Sequence, residues 1–163
     1  MNHAERYLDL IARCPKQLDA QYRAAFYLLS IDREIYEIAK RHVDVVGIDF
    51  TGILKVCGQL EEFKTQIVRA AHDLFGSAKR TTTVPKLSDV ANLGAPYVGA
   101  VVAAVMVCGE QAHIEVQTDP QGRPVLAINT ERFYKNLQLY QALTDMGAAP
   151  FPAGEGEEDG LGR

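Results

Sequence analysis

The side chains that could do chemistry in this chain are few and scattered. His72 and Asp73 stand side by side in VRAAHDLFG, residues 68–76, inside an apolar helical pattern that Gly76 ends. His42 completes the apolar face of an earlier helix, where a histidine is ordinarily partly buried and bonded to a backbone carbonyl. Asp44 and Asp49 flank an apolar segment. Two carboxylates can exchange protons or hold a cation, and they also commonly fix turns and cap helices. His113 and Glu115 fall on the polar face of a predicted strand, and Lys79, Arg80 and Lys86 with three threonines form a loop able to touch phosphate. The sequence has no Gly-rich phosphate loop, nucleophile elbow or zinc-ligand spacing. Tyr22, Phe26 and Tyr27 cluster at helical spacing, which reads as core rather than as a base-stacking platform. Cys14, Cys57 and Cys108 are odd in number, far apart and in apolar surroundings, as expected of buried free thiols in a reducing compartment.

The segment around His72-Asp73 resembles the centre of an HD-domain phosphohydrolase. The resemblance implies a divalent metal held by an upstream histidine, the His-Asp pair and a later aspartate. Such a metal would lower the pKa of a bound water and stabilise charge on a phosphate. His42 would be the first ligand, and Asp89, Asp119 or Asp145 the last. The match spans about nine residues, and Phe75 departs from the small or β-branched residue usual before the glycine.

The elements that must position these groups are mostly helical. Apolar residues recur at i, i+3, i+4 and i+7 in Tyr7–Cys14, Tyr22–Leu29, Ile35–His42 and Ile67–Leu74. Asn2 and Glu5 form a capping-box pattern before the first helix, and Asp19 and Asp32 precede the second and third. Val43 to Cys57, broken by Gly47 and Gly52, leaves helix and strand both open. A short helical turn is expected after Ser88. Residues 95–108, APYVGAVVAAVMVC, form the longest apolar run. Its 14 residues reach only ~21 Å, against the ~30 Å of a hydrocarbon layer, so it reads as a helix wrapped by others, not as a membrane span. Pro96 suits its first turn and Gly109 the left-handed position past its end. After it the period changes to two. Ile114 and Val116, the turn sequence Asp119-Pro120-Gln121-Gly122 and Val125–Ile128 predict a β-hairpin. An isolated hairpin is marginal, so its apolar face must lie on the helices. Thr130 can cap a last helix with Leu139, Ala142, Leu143 and Met146 on one face.

The net charge is −4, and the last sixteen residues carry four acids against Arg163, leaving the body close to neutral. That excludes the global basic field on which nucleic-acid binding relies. The N-terminus, MNHAERYLDL, has charges where a secretory signal needs an apolar stretch, which points to the cytoplasm. RYLDLIA, QYRAAFYLLSIDREIYEIA and IVRAAHDLFG are together similar to small uncharacterised proteins of Gram-positive bacteria. Ala24 to Leu29, Glu34 to Tyr36 and Leu74-Phe75 occupy the matching places. That resemblance implies a bacterial cytoplasmic domain and no activity, and the group does not keep a fixed His-Asp pair.

The expectation is therefore an α+β, mostly α domain over residues 1–147. Five or six helices surround an apolar helix at about 96–108, with one hairpin at about 112–129, and residues 148–163 form a disordered acidic Gly/Pro-rich tail. The expected function is a non-catalytic interaction or regulatory module, as a homo-oligomer or with a protein partner, without cofactor, nucleic acid or membrane. The alternative is a metal-dependent phosphohydrolase using His42, His72 and Asp73 with a divalent metal.

Overall fold

The computed structural model describes residues 1–14, 18–76 and 85–147, so the acidic tail and the Lys79-Arg80 loop lie outside the described residues. Among the described residues the chain is α+β and mostly helical. It runs α1 (His3–Arg13), α2 (Ala20–Leu29), α3 (Arg33–Ala39), α4 (Phe50–Cys57), α5 (Glu62–Leu74), α6 (Leu87–Ala91), α7 (Tyr97–Cys108), β1 (His113–Thr118), β2 (Pro124–Asn129) and α8 (Glu131–Asp145). The chain divides into two compact units, Met1–Thr130 and Glu131–Arg163. In the second, α8 carries no buried residue.

Local chemistry sets the helix starts. At α1 the Asn2 side chain accepts from the Glu5 amide at 2.9 Å while the Glu5 carboxylate accepts from the Asn2 amide at 2.7 Å. Asp19, Asp32 and Asp49 cap α2, α3 and α4 in the same way. The Asp49 cap decides the open question at 43–57: with the Gly52 amide satisfied at 2.9 Å, ILKVC continues a helix rather than a strand. Gly76, at φ 76°, ends α5.

The core of the first unit joins Leu10, Phe26, Leu28, Leu29, Ile35, Ile53, Ile67 and Val68, all essentially without exposure. Three backbone carbonyls, of Met1 before α1 and of Ser30 and Ile31 just past α2, meet one buried guanidinium. Arg6 donates from Nε to Ser30 O at 2.7 Å, and its two terminal nitrogens donate to Met1 O and Ile31 O, each at 2.8 Å. Thr65 Oγ1 donates to Cys57 O at 2.9 Å, fastening α5 to the end of α4.

α7 differs from expectation in a useful way. Ala100, Val101, Ala104 and Val107 are buried, but Val102 and Val105 are each 52% exposed. An all-round apolar helix has no amphipathic signal, so the sequence could not show that one face stays uncovered. Pro96 is the N-cap rather than a first-turn residue, and Gly109 has φ −80°, the left-handed residue being Glu110 at φ 55°. The hairpin is as expected. β1 and β2 pair antiparallel from His113↔Asn129 to Thr118↔Pro124, and the Gly122 amide donates to Asp119 O at 2.9 Å across the turn. Ile114, Leu126 and Ile128 pack on the helical core.

Candidate functional site

The sequence candidates separate in space. His72 and Asp73 are consecutive on α5 and so point about 100° apart. The His72 ring stacks on Phe50, centroids 4.8 Å apart, on the α4 side. Asp73 is exposed and lines a different surface, between α5, α6 and α7. Asp119 is engaged within the hairpin turn, accepting from the Gln121 and Arg123 amides at 2.9 and 2.8 Å. Among the described residues no group of three or more His, Cys, Asp or Glu side chains is placed to hold a metal ion. His42, His72 and Asp73 are therefore not assembled into a ligand set there.

What the structure does bring together is His42 and Asp49. The imidazole Nδ1 lies 3.2 Å from Asp49 Oδ2, and the other carboxylate oxygen accepts the Gly52 amide. The partner of His42 is thus a carboxylate, not the backbone carbonyl expected from its place on an apolar face. Asp49 holds Nδ1 as the donor in the neutral ring and leaves Nε2 as an acceptor. The Gly52 amide first, and His42 after it, hold the Asp49 carboxyl below the usual carboxylate range. Two glycines permit the arrangement. A Cβ at Gly52 would come 2.3 Å from both His42 Nδ1 and Asp49 Oδ2. Gly47, at φ 153°, has a conformation that other residues rarely adopt, and a Cβ there would meet the Tyr22 hydroxyl at 3.0 Å.

His42 and Asp49 open onto a cavity of about 320 Å³, also lined by Tyr22, Asp44, Ile48 and Phe75. Asp44 Oδ1 accepts the Val46 and Gly47 amides at 2.7 and 3.2 Å, and its other oxygen has no protein donor among the described residues. The Tyr22 and Phe75 rings meet edge to face at 4.8 Å. Asp44 and Asp49 are thus a turn residue and a helix cap, as expected, and also share one cavity. Tyr22 and Phe75 were not legible as its walls. Gly47 and Gly52, spaced around Asp49 where they interrupt the periodicity, were the available signal.

A second concavity, about 340 Å³, lies between α5, α6 and α7. Leu74, Pro85, Leu87, Val90, Val101, Val102, Val105 and Met106 line it with Ala70, and Asp73 is the one polar side chain among its described lining residues. Leu87 is 87% exposed. The thiols stay outside both cavities. Cys14 and Cys57 are buried, and burial pushes Cys57 up to about 11, while Cys108 is only partly buried and donates to Leu74 O at 3.3 Å. No helix among the described residues is long and apolar enough to cross a membrane. Comparison with known proteins finds no matching family model, no matching curated protein and no matching solved structure.

Proposed function

We propose that this chain is a non-catalytic interaction module of a bacterial cytoplasm, and that it receives an amphipathic segment of a protein partner in the groove between α5, α6 and α7. The observation that carries this reading is the open face of the apolar helix. Val102, Val105 and Leu87 stand exposed along a concavity whose other described walls, Asp73 apart, are apolar. Contiguous apolar surface of this kind marks an interaction site rather than a random scatter of exposed residues. A partner that covers one such side chain fully gains up to ~1.5–3 kcal/mol.

Asp73 selects the occupant. Among the described residues its carboxylate is the single charge in the lining and has no hydrogen bond or ion pair. A segment presenting leucine-sized side chains at helical spacing and one lysine or arginine would fill the groove and pair with it. The test is fluorescence anisotropy with two labelled helical peptides of that pattern, identical except for lysine or glutamate at the charged position. The lysine peptide is expected to bind, the glutamate peptide to bind weakly, and Asp73→Lys to reverse the order. Equal binding of the two peptides, no binding by either, or indifference to Asp73→Lys overturns the reading. Concentration-dependent dimerisation abolished by polar substitution of the groove would overturn it in favour of a second copy.

A further inference from the structure

The cavity beside His42 has no part in the docking surface, yet its lining is chemically selective. We propose that it binds a small organic cation, an alkylguanidinium or alkylammonium group, with Asp44 as its ion-pair partner and the Tyr22 and Phe75 rings as its walls. Asp44 and His42 offer acceptors, beside a Tyr22 hydroxyl that can accept or donate. With Nδ1 bonded to Asp49, the uncharged ring of His42 offers Nε2 as an acceptor. Asp44 keeps one carboxylate oxygen beyond the two amides that hold the other. A ligand that satisfies them must donate, and donors that also carry positive charge make the stronger bonds. Tyr22 and Phe75, 4.8 Å apart, supply aromatic surface of the kind on which cations settle. Among the described residues His42 is the one lining residue able to carry positive charge, and the two carboxylates outweigh it. A volume of about 320 Å³ falls at the small end of ligand pockets.

The glycines show that the walls are held close. A Cβ at Gly47 would crowd the Tyr22 hydroxyl at 3.0 Å, and one at Gly52 would overlap the imidazole and its carboxylate at 2.3 Å. The site's polar groups are therefore set by backbone turns and caps and not by free surface rotamers, which lowers the entropy lost on binding.

The experiment is an amide-resolved NMR titration of the full chain with methylguanidinium, with its neutral analogue methylurea, and with sodium chloride at the same concentration. Methylguanidinium in the millimolar range should give saturable shifts at Val46, Gly47, Asp49 and Gly52, and methylurea and salt should not. Asp44→Asn keeps an oxygen to accept the two amides but removes the charge, and should weaken the binding about tenfold or more. Tyr22→Phe, which keeps the ring, should weaken it less. Equal shifts with methylurea, shifts that never saturate, no shifts at all, or undiminished binding by a folded Asp44→Asn variant would each overturn the assignment.

Discussion

The His42 imidazole and the Asp49 carboxylate meet at 3.2 Å directly over Gly52, whose missing side chain is what makes room for them. Glycine to alanine inside a helix ordinarily stabilises by ~1 kcal/mol. At Gly52 the new methyl would occupy the space of Nδ1 and Oδ2, so His42 and Asp49 must swing away and the cap of α4 is strained. Losing such a cap costs ~0.5–2 kcal/mol, which cancels or exceeds the propensity gain. Gly52→Ala should therefore give no increase in stability by urea titration, together with loss of the His42–Asp49 contact in NMR spectra. A gain of the full propensity value would show that the pair is not held against the helix.

Arg6 gives a second test, of how α1 and the end of α2 are joined. Its guanidinium satisfies three backbone carbonyls at once, one of them in the last turn region of α2, where a cation is also favoured by the helix dipole. Arg6→Met keeps most of the buried stem and strands those acceptors. A loss of at least ~2 kcal/mol is expected, the cost of leaving buried polar groups unpaired. Arg6→Lys should recover only part of it, since an ammonium cannot reproduce the fork.

His3 makes stability depend on pH. Its Nε2 lies 3.0 Å from Tyr27 O and its ring stacks on Tyr27 at 4.9 Å. Burial lowers its pKa below the ordinary 6.5, with the Tyr27 carbonyl opposing in part and Arg6 adding to the lowering. The folded state then binds the proton less readily than the unfolded one. Its contribution is complete above the unfolded pKa and is lost as pH falls from there through the folded value. Melting temperature should fall on acidification below neutral with a slope that His3→Gln reduces. An unchanged slope would remove His3 from the account of acid sensitivity.

These relations divide by how local they are. The Asn2–Glu5 capping box, the Asp19 and Asp32 caps and the Asp119–Gly122 turn were legible because each depends on residues within four positions of one another. The His42–Asp49 pair spans seven positions and a chain reversal closed by the Val43↔Ile48 bridge, so no periodicity announces it. The groove was illegible for a different reason. Val101 and Val102 are neighbours of one residue type, and only the packing of α2 and α5 decides that the first is buried and the second open. His72 and Asp73 meet different neighbours, Phe50 and the α6–α7 side, and their adjacency in sequence does not announce which.

The two sides of α7 predict opposite responses to added volume. Ala104 has no exposure, so Ala104→Leu should overpack the core and cost ~1–3 kcal/mol. Val102→Leu adds its methylene to open surface and should stay within ~0.5 kcal/mol. Similar costs at both positions, read from urea unfolding, would mean that α7 is enclosed on every side.

The groove itself is tested most directly by pairing affinity with stability in one variant. Val102→Gln with Val105→Gln makes the open face of α7 polar without entering the core. Anisotropy with the lysine-bearing peptide and a thermal melt should show binding lost while the melting temperature holds. Undiminished binding would place the interaction elsewhere, and a collapse of the melting temperature would show that this face belongs to the core and is no docking surface.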